Sequence, residues 1–162
     1  MTKNLEISYP VHILLVEDND DHAELVMRSF RNHPAAQITH ISDGEAALDY
    51  LFGRGAYADT EQFPRPQMVL LDLRLPKVDG LDVLNQVRTS GQFDEMPIVI
   101  LTTSRADTDV GRAYNHRANS YLVKPIDFAE FAQLMNDIGG YWLDWNHYPW
   151  KASRTVGVPQ IS

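Results

Sequence analysis

Four short runs of apolar residues constrain this chain more than any other feature. They are Val11 to Val16, Met68 to Leu71, Ile98 to Leu101 and Tyr121 to Val123. Each is near-continuously apolar, the pattern of a strand buried on both faces of a sheet. A weaker fifth run, Gln37 to Ile41, has Ile38 and Ile41 as its apolar members. Between the runs, apolar residues recur at helical spacing. Asp20 to Asn32 carries Ala23, Val26, Met27 and Phe30, and Gly44 to Leu51 carries Ala47, Leu48 and Leu51. Asp79 to Arg88 carries Leu81, Leu84 and Val87, and Asp107 to Arg117 carries Val110, Ala113 and Tyr114. A longer series spans Asp127 to Trp145. Several of these segments open on Asn or Asp, which suit helix N-caps.

Strands alternating with helices imply a parallel sheet covered on both faces, joined by right-handed crossovers. The expected class is therefore α/β: a doubly wound five-stranded parallel sheet, flavodoxin-like, with strand order 2-1-3-4-5. Residues 1–10 form an N-terminal segment and 11–147 the domain. Gly53 to Gln67, with two glycines and two prolines, reads as a long loop. Residues 148–162 contain Pro149, Gly157 and Pro159 without periodicity and read as a tail, too short for an effector domain.

Composition narrows the function classes. The 22 acidic residues against 14 basic ones give a net charge of −8, with no basic cluster, which argues against nucleic-acid binding. The chain has no cysteine, which excludes disulfides, thiolate nucleophiles and cysteine metal sites and fits a reducing compartment. No apolar run approaches a membrane span, and the first residues lack an export signal, so a cytoplasmic location is expected.

In such a sheet, chemistry gathers beyond the carboxyl ends of the strands. The first strand runs into Glu17-Asp18-Asn19 and the third into Asp72. The fourth runs into Thr102-Thr103-Ser104 and the fifth into Lys124-Pro125. Three carboxylates at one rim repel each other unless a cation neutralises them. Oxygen donors without His or Cys select Mg²⁺, Mn²⁺ or Ca²⁺ over zinc. Proline at 125 restricts Lys124 to extended geometry, which holds it at its strand end. The six histidines show no metal-ligand spacing and read as surface or cap residues.

Four blocks carry a resemblance. Val16-Glu17-Asp18-Asn19, Leu70 to Gly80, Leu101-Thr102-Thr103-Ser104 and Tyr121-Leu122-Val123-Lys124-Pro125 resemble the signature blocks of bacterial response-regulator receiver domains. The likeness covers about residues 11 to 145. The long loop after the second helix, the Leu-Thr-Thr-Ser block and the aromatic end of the fifth helix are similar to the small stand-alone regulators paired with bacterial and cyanobacterial phytochromes.

The resemblance implies roles. Asp72 accepts a phosphoryl group from a phosphohistidine on a sensor histidine kinase, here of phytochrome type. Glu17, Asp18, Asp72 and the backbone carbonyl of Arg74 hold Mg²⁺. Thr102 and Lys124 meet the phosphoryl oxygens, and Tyr121 stands where the family keeps an aromatic switch residue. The Arg74 side chain, two residues after Asp72, reaches either an acidic neighbour or the phosphoryl group. The chain is then no enzyme beyond assisting its own phosphoryl transfer and hydrolysis, and it signals through its own surface. Two alternatives are an aspartyl-phosphate phosphatase or phosphotransferase, and a docking module that is not phosphorylated. The first lacks the second aspartate that such enzymes place two residues after the nucleophile, since Arg74 stands there. The apolar series Phe128, Phe131, Met135, Ile138, Trp142 and Trp145 has the 3-4 spacing of a helix-packing seam. It leads to the expectation of a homodimer through the fourth helix, fifth strand and fifth helix. Gly139-Gly140 within that series weakens a continuous helix.

Overall fold

A computed structural model describes residues 10–150 of the chain. Five strands form one parallel sheet: β1 (Val11–Val16), β2 (Ala36–Ile41), β3 (Met68–Leu71), β4 (Ile98–Thr102) and β5 (Ser120–Val123). Their order is β2-β1-β3-β4-β5, as the alternation of strands and helices predicts. The helices are α1 (Asp20–Phe30), α2 (Gly44–Phe52), α3 (Gly80–Thr89), α4 (Asp107–Asn115) and α5 (Phe128–Gly139). All but α4 start on a side-chain cap, with Asn19, Asp43, Asp79 and Asp127 each accepting a backbone N–H of the first turn.

Alternation along each strand divides the core in two. Leu14, Val16, Val69, Leu71, Ile98 and Ile100 pack against α2 and α3. Ile13, Leu15, Leu70, Val99 and Leu101 pack against α1 and α5. The strands are apolar throughout because both faces are covered. Register then brings the strand ends together: Val16 pairs with Leu71, and Thr102 with Val123. Glu17, Asp72, Thr102 and Lys124 are thereby delivered to one rim.

Three expectations change. The loop after α2 is not wholly irregular but contains a short 3-10 turn, Gly55–Tyr57. Tyr50 donates its hydroxyl hydrogen to the Pro64 carbonyl at 2.8 Å, and the rings of Tyr50, Tyr57 and Phe63 pack against one another in tilted and edge-to-face pairs. The segment after α5 is not all tail. Tyr148 packs on the α1/α5 side and donates to the Trp142 carbonyl at 2.8 Å, whereas Trp150 packs on the opposite side. The Arg65 guanidinium lies between the Phe93 ring at 4.9 Å and the Trp150 ring at 4.6 Å. The chain therefore crosses beneath the amino ends of the strands. The remainder of the expected tail, residues 151–162, lies outside the described residues, as does most of the N-terminal segment.

The third change concerns the aromatic seam. The helix does not break at the two glycines but widens into a π-helical turn, Gly140–Trp145. A side chain at Gly139 would run into the His33 ring and Phe30, so glycine there lets α5 approach α1 closely. Phe131, Met135 and Ile138 belong to the domain's own core, and Trp142 folds back onto it. Only Phe128, Tyr141 and Trp145 stay open, at 65%, 59% and 79% exposure.

Gly80 has a similar reason to be glycine. A Cβ there would land on the Asp72 carbonyl oxygen, so the loop behind Asp72 closes only without one. Gly80→Ala is expected to destabilise the fold by about 1–3 kcal/mol in urea unfolding. Gly111→Ala on α4, where the added methyl meets open space, should gain up to about 1 kcal/mol.

Candidate functional site

The rim gathers five of the side chains singled out from the sequence. One carboxylate oxygen each from Glu17, Asp18 and Asp72 lie within 4.8 Å of one another. Glu17 and Asp72 are buried, while Asp18 faces solvent. Lys124, almost fully buried, points its ammonium between the two buried acids, 2.5 Å from Glu17 Oε2 and 2.8 Å from Asp72 Oδ2. Its backbone N–H donates to the Thr102 carbonyl at 2.8 Å, which fixes the β5 end against β4. Thr102 itself is fully buried beside Asp72.

Electrostatics separate the two buried acids. Burial opposes the charge of Asp72, but the Lys124 ammonium, the Thr102 hydroxyl and the Arg74 N–H outweigh it and hold its carboxyl below the usual aspartate value. For Glu17 burial dominates. With Asp72 adding repulsion, its carboxyl is pushed up to about 7 despite the contact with Lys124. One ammonium does not neutralise three acids, so the pocket favours a further cation. The donors are carboxylate oxygens only, which fits a hard divalent ion such as Mg²⁺ or Mn²⁺.

Arg74 serves the site with its backbone and leaves it with its side chain. Its N–H donates to Asp72 Oδ1 at 3.2 Å, and its guanidinium reaches Asp109 Oδ2 on α4 at 2.7 Å. The same Asp109 oxygen accepts the Ser104 hydroxyl at 2.6 Å. Tyr121, half-buried, donates its hydroxyl hydrogen to the Ser104 carbonyl at 2.9 Å. Of the two destinations open to Arg74 in the sequence, the acidic neighbour is the one observed.

Two histidines correct the reading of these residues as surface or cap residues. His40 places Nε2 2.7 Å from the Glu17 carbonyl, and His22 places Nδ1 3.0 Å from Lys124 Nζ. A third, His12, is buried within β1. Metal-ligand spacing cannot find such residues, because they contact the strand ends and not an ion. Asp109 was equally silent in sequence, since an acid in the first turn of a helix usually complements the helix dipole.

A family model for the response regulator receiver domain matches residues 13–136. The chain is 48% identical over 149 residues to the probable methanogenesis regulatory protein FilR2 of Methanothrix harundinacea, covering 91% of this chain and 94% of that one. It is 34% identical over 140 residues to the response regulator Rcp1 of Synechocystis, covering 86% and 93%. The crystal structure of the Mn²⁺-bound form of Rcp1 aligns with a TM-score of 0.82 at 34% identity, over 87% of this chain and 100% of that one. The phosphorylated cyanobacterial phytochrome response regulator RcpA aligns with a TM-score of 0.82 at 31% identity, over 87% and 99%. With a fold and a rim of acids of this kind, the chain belongs to the response regulator receiver domain family of two-component systems.

Proposed function

We propose that the protein is a response regulator whose Asp72 accepts a phosphoryl group from the phosphohistidine of a partner kinase in the cytoplasm. The observation that carries this reading is the contact of Lys124 with Asp72 at the carboxyl end of the sheet, beside buried Thr102. Asp72 attacks through a carboxylate oxygen. A P–O bond forms as the P–N bond of the donor breaks, and the electron pair returns to the donor imidazole. Transition states of this kind ask mainly for positioning and charge neutralisation. Lys124 supplies a fixed positive charge and Thr102 a hydroxyl donor for the transferred oxygens. Glu17, Asp18, Asp72 and the Arg74 carbonyl would hold Mg²⁺, which when bound adds positive charge to the transferred group. The Arg74–Asp109–Ser104–Tyr121 contacts connect this chemistry to α4 and β5.

The partner's sensor class has two lines of support. Likeness to the cyanobacterial phytochrome regulator RcpA favours a phytochrome-type kinase. The higher identity to FilR2, named for methanogenesis regulation, favours a kinase with another sensor. Phosphotransfer profiling against both kinase types separates them. An aspartyl-phosphate enzyme is disfavoured because Arg74, occupied with Asp109, stands where such an enzyme needs an acid/base. Among the described residues, no helix is long and apolar enough to cross a membrane.

Mass spectrometry after acetyl phosphate and Mg²⁺ should show one added phosphoryl group, and Asp72→Asn should show none. Labelling of that variant would remove Asp72 from the role.

A pH dependence follows from Glu17. Its carboxyl is raised from 4.5 to about 7, so between those values the folded state keeps a proton that the unfolded state has lost. Its contribution to metal-free stability is full below the lower value and disappears as pH rises through the upper one. A metal ion must displace the same proton. The gain in melting temperature from Mg²⁺ over EDTA should therefore grow from about pH 5 to about pH 8, and Glu17→Gln should flatten that growth.

Phe128, Tyr141 and Trp145 remain open on α5 and its extension, and we assign them to contact with a second copy of the chain. Sedimentation should show a dimer at micromolar concentration, shifted towards monomer by Tyr141→Ala with Trp145→Ala. A wild-type monomer in both phosphorylation states would exclude this assembly.

A further inference from the structure

The Lys124 ammonium has three partners, and only two of them are acids. Glu17 Oε2 lies 2.5 Å away, Asp72 Oδ2 2.8 Å and His22 Nδ1 3.0 Å. An ammonium donates three hydrogens and accepts none. Nδ1 must therefore be the acceptor, and the ring is neutral with its hydrogen on Nε2. Burial, then the neighbouring Lys124 charge, lower the pKa of His22 and agree with that state.

His22 is held for this contact from both ends. Its backbone N–H donates to the Asn19 cap at 3.0 Å, which sets the residue in the first turn of α1 just past the β1 acids. Its ring leans on Phe131 of α5 at 5.8 Å between centroids. A solvated surface histidine has no cause to meet an ammonium whose side chain is 2% exposed.

We propose that His22 is a positioning residue for Lys124: it accepts the third ammonium hydrogen and so keeps Nζ aimed at Asp72. The inference rests on the reading of Asp72 as phosphoacceptor and adds to it. Glu17 and Asp72 are shared, because both also belong to the acid cluster that suits a hard cation. A neutral imidazole nitrogen is a poor ligand for such an ion. His22 is thus a partner of Lys124 for which a cation among the acids does not compete. Residues that orient metal ligands typically change activity ten- to a hundredfold when removed, and an effect of that order is expected for a residue that orients Lys124.

The test compares wild type, His22→Phe, His22→Asn and Asp72→Asn. Labelling rates with acetyl phosphate and Mg²⁺ are read by mass spectrometry, and the imidazole tautomer of metal-free wild type by ¹⁵N NMR. His22→Phe should label at least about tenfold more slowly. His22→Asn, whose side-chain oxygen stands near the position of Nδ1, should recover most of the rate, and the NMR should show an unprotonated Nδ1. Three results overturn the proposal: a Phe variant as fast as wild type, an Asn variant as slow as Phe, or a hydrogen on Nδ1. If the Phe variant folds poorly, the Asn variant and the tautomer decide. Label on Asp72→Asn, or none on wild type, instead overturns the reading of Asp72. That failure is recognisable from the wild-type and Asp72→Asn arms themselves, which the His22 proposal does not move.

Discussion

The buried ammonium of Lys124 between Glu17 and Asp72 is the interaction on which this architecture turns. Two carboxylates at the ends of adjacent strands would repel each other in a pocket that water barely reaches. A single cation from a third strand end lets both be buried. Its cost in desolvation is met only because three acceptors surround it. Everything that brings β5 alongside β4 therefore also serves the site. The Lys124 N–H to Thr102 carbonyl bond and the extended geometry before Pro125 are the clearest instances.

The sheet was legible in the sequence because its determinants are local and redundant. Runs apolar on both faces, helical spacing between them and capping residues before four helices all point the same way. The acids, Thr102 and Lys124 were legible for a topological reason: in a parallel sheet, residues that follow strands share a rim wherever they lie in the chain. What remained hidden depends on rotamers and on packing between distant segments. His22, His40 and Asp109 look ordinary in sequence, and only the folded distances give them roles. The seam on α5 divides between core and surface. Its period is true, but Phe131, Met135 and Ile138 satisfy it by packing on their own sheet. Glycine at 139 suggested a break on propensity, whereas its lack of a side chain admits His33 and Phe30.

The segment after α5 shows how little sequence says about a chain that packs without periodicity. Tyr148 and Trp150 occupy opposite faces of the sheet, three residues past the π-helical turn and beyond. Large rings separated by a short irregular stretch give no pattern, yet each fills a gap at the amino ends of the strands. Arg65, in what reads as a loop, completes the arrangement by stacking between Phe93 and Trp150. The amino rim is thereby built from aromatic packing and the carboxyl rim from charge.

That division separates a rim that charge can alter from one that it cannot. Aromatic packing is dense and changes little with charge, so the amino rim acts as a fixed base. The carboxyl rim is held by hydrogen bonds whose strengths depend on the charge at Asp72. Arg74 bonds Asp72 through its backbone and Asp109 through its guanidinium, and Asp109 also holds Ser104. Ser104 in turn accepts from Tyr121. Asp109 is buried, so losing either donor would leave a carboxylate short of partners in a poorly solvated place. Its two bonds therefore resist being altered one at a time. A change of charge at Asp72 acts on Arg74 directly, and through Asp109 it bears on α4 and β5 together.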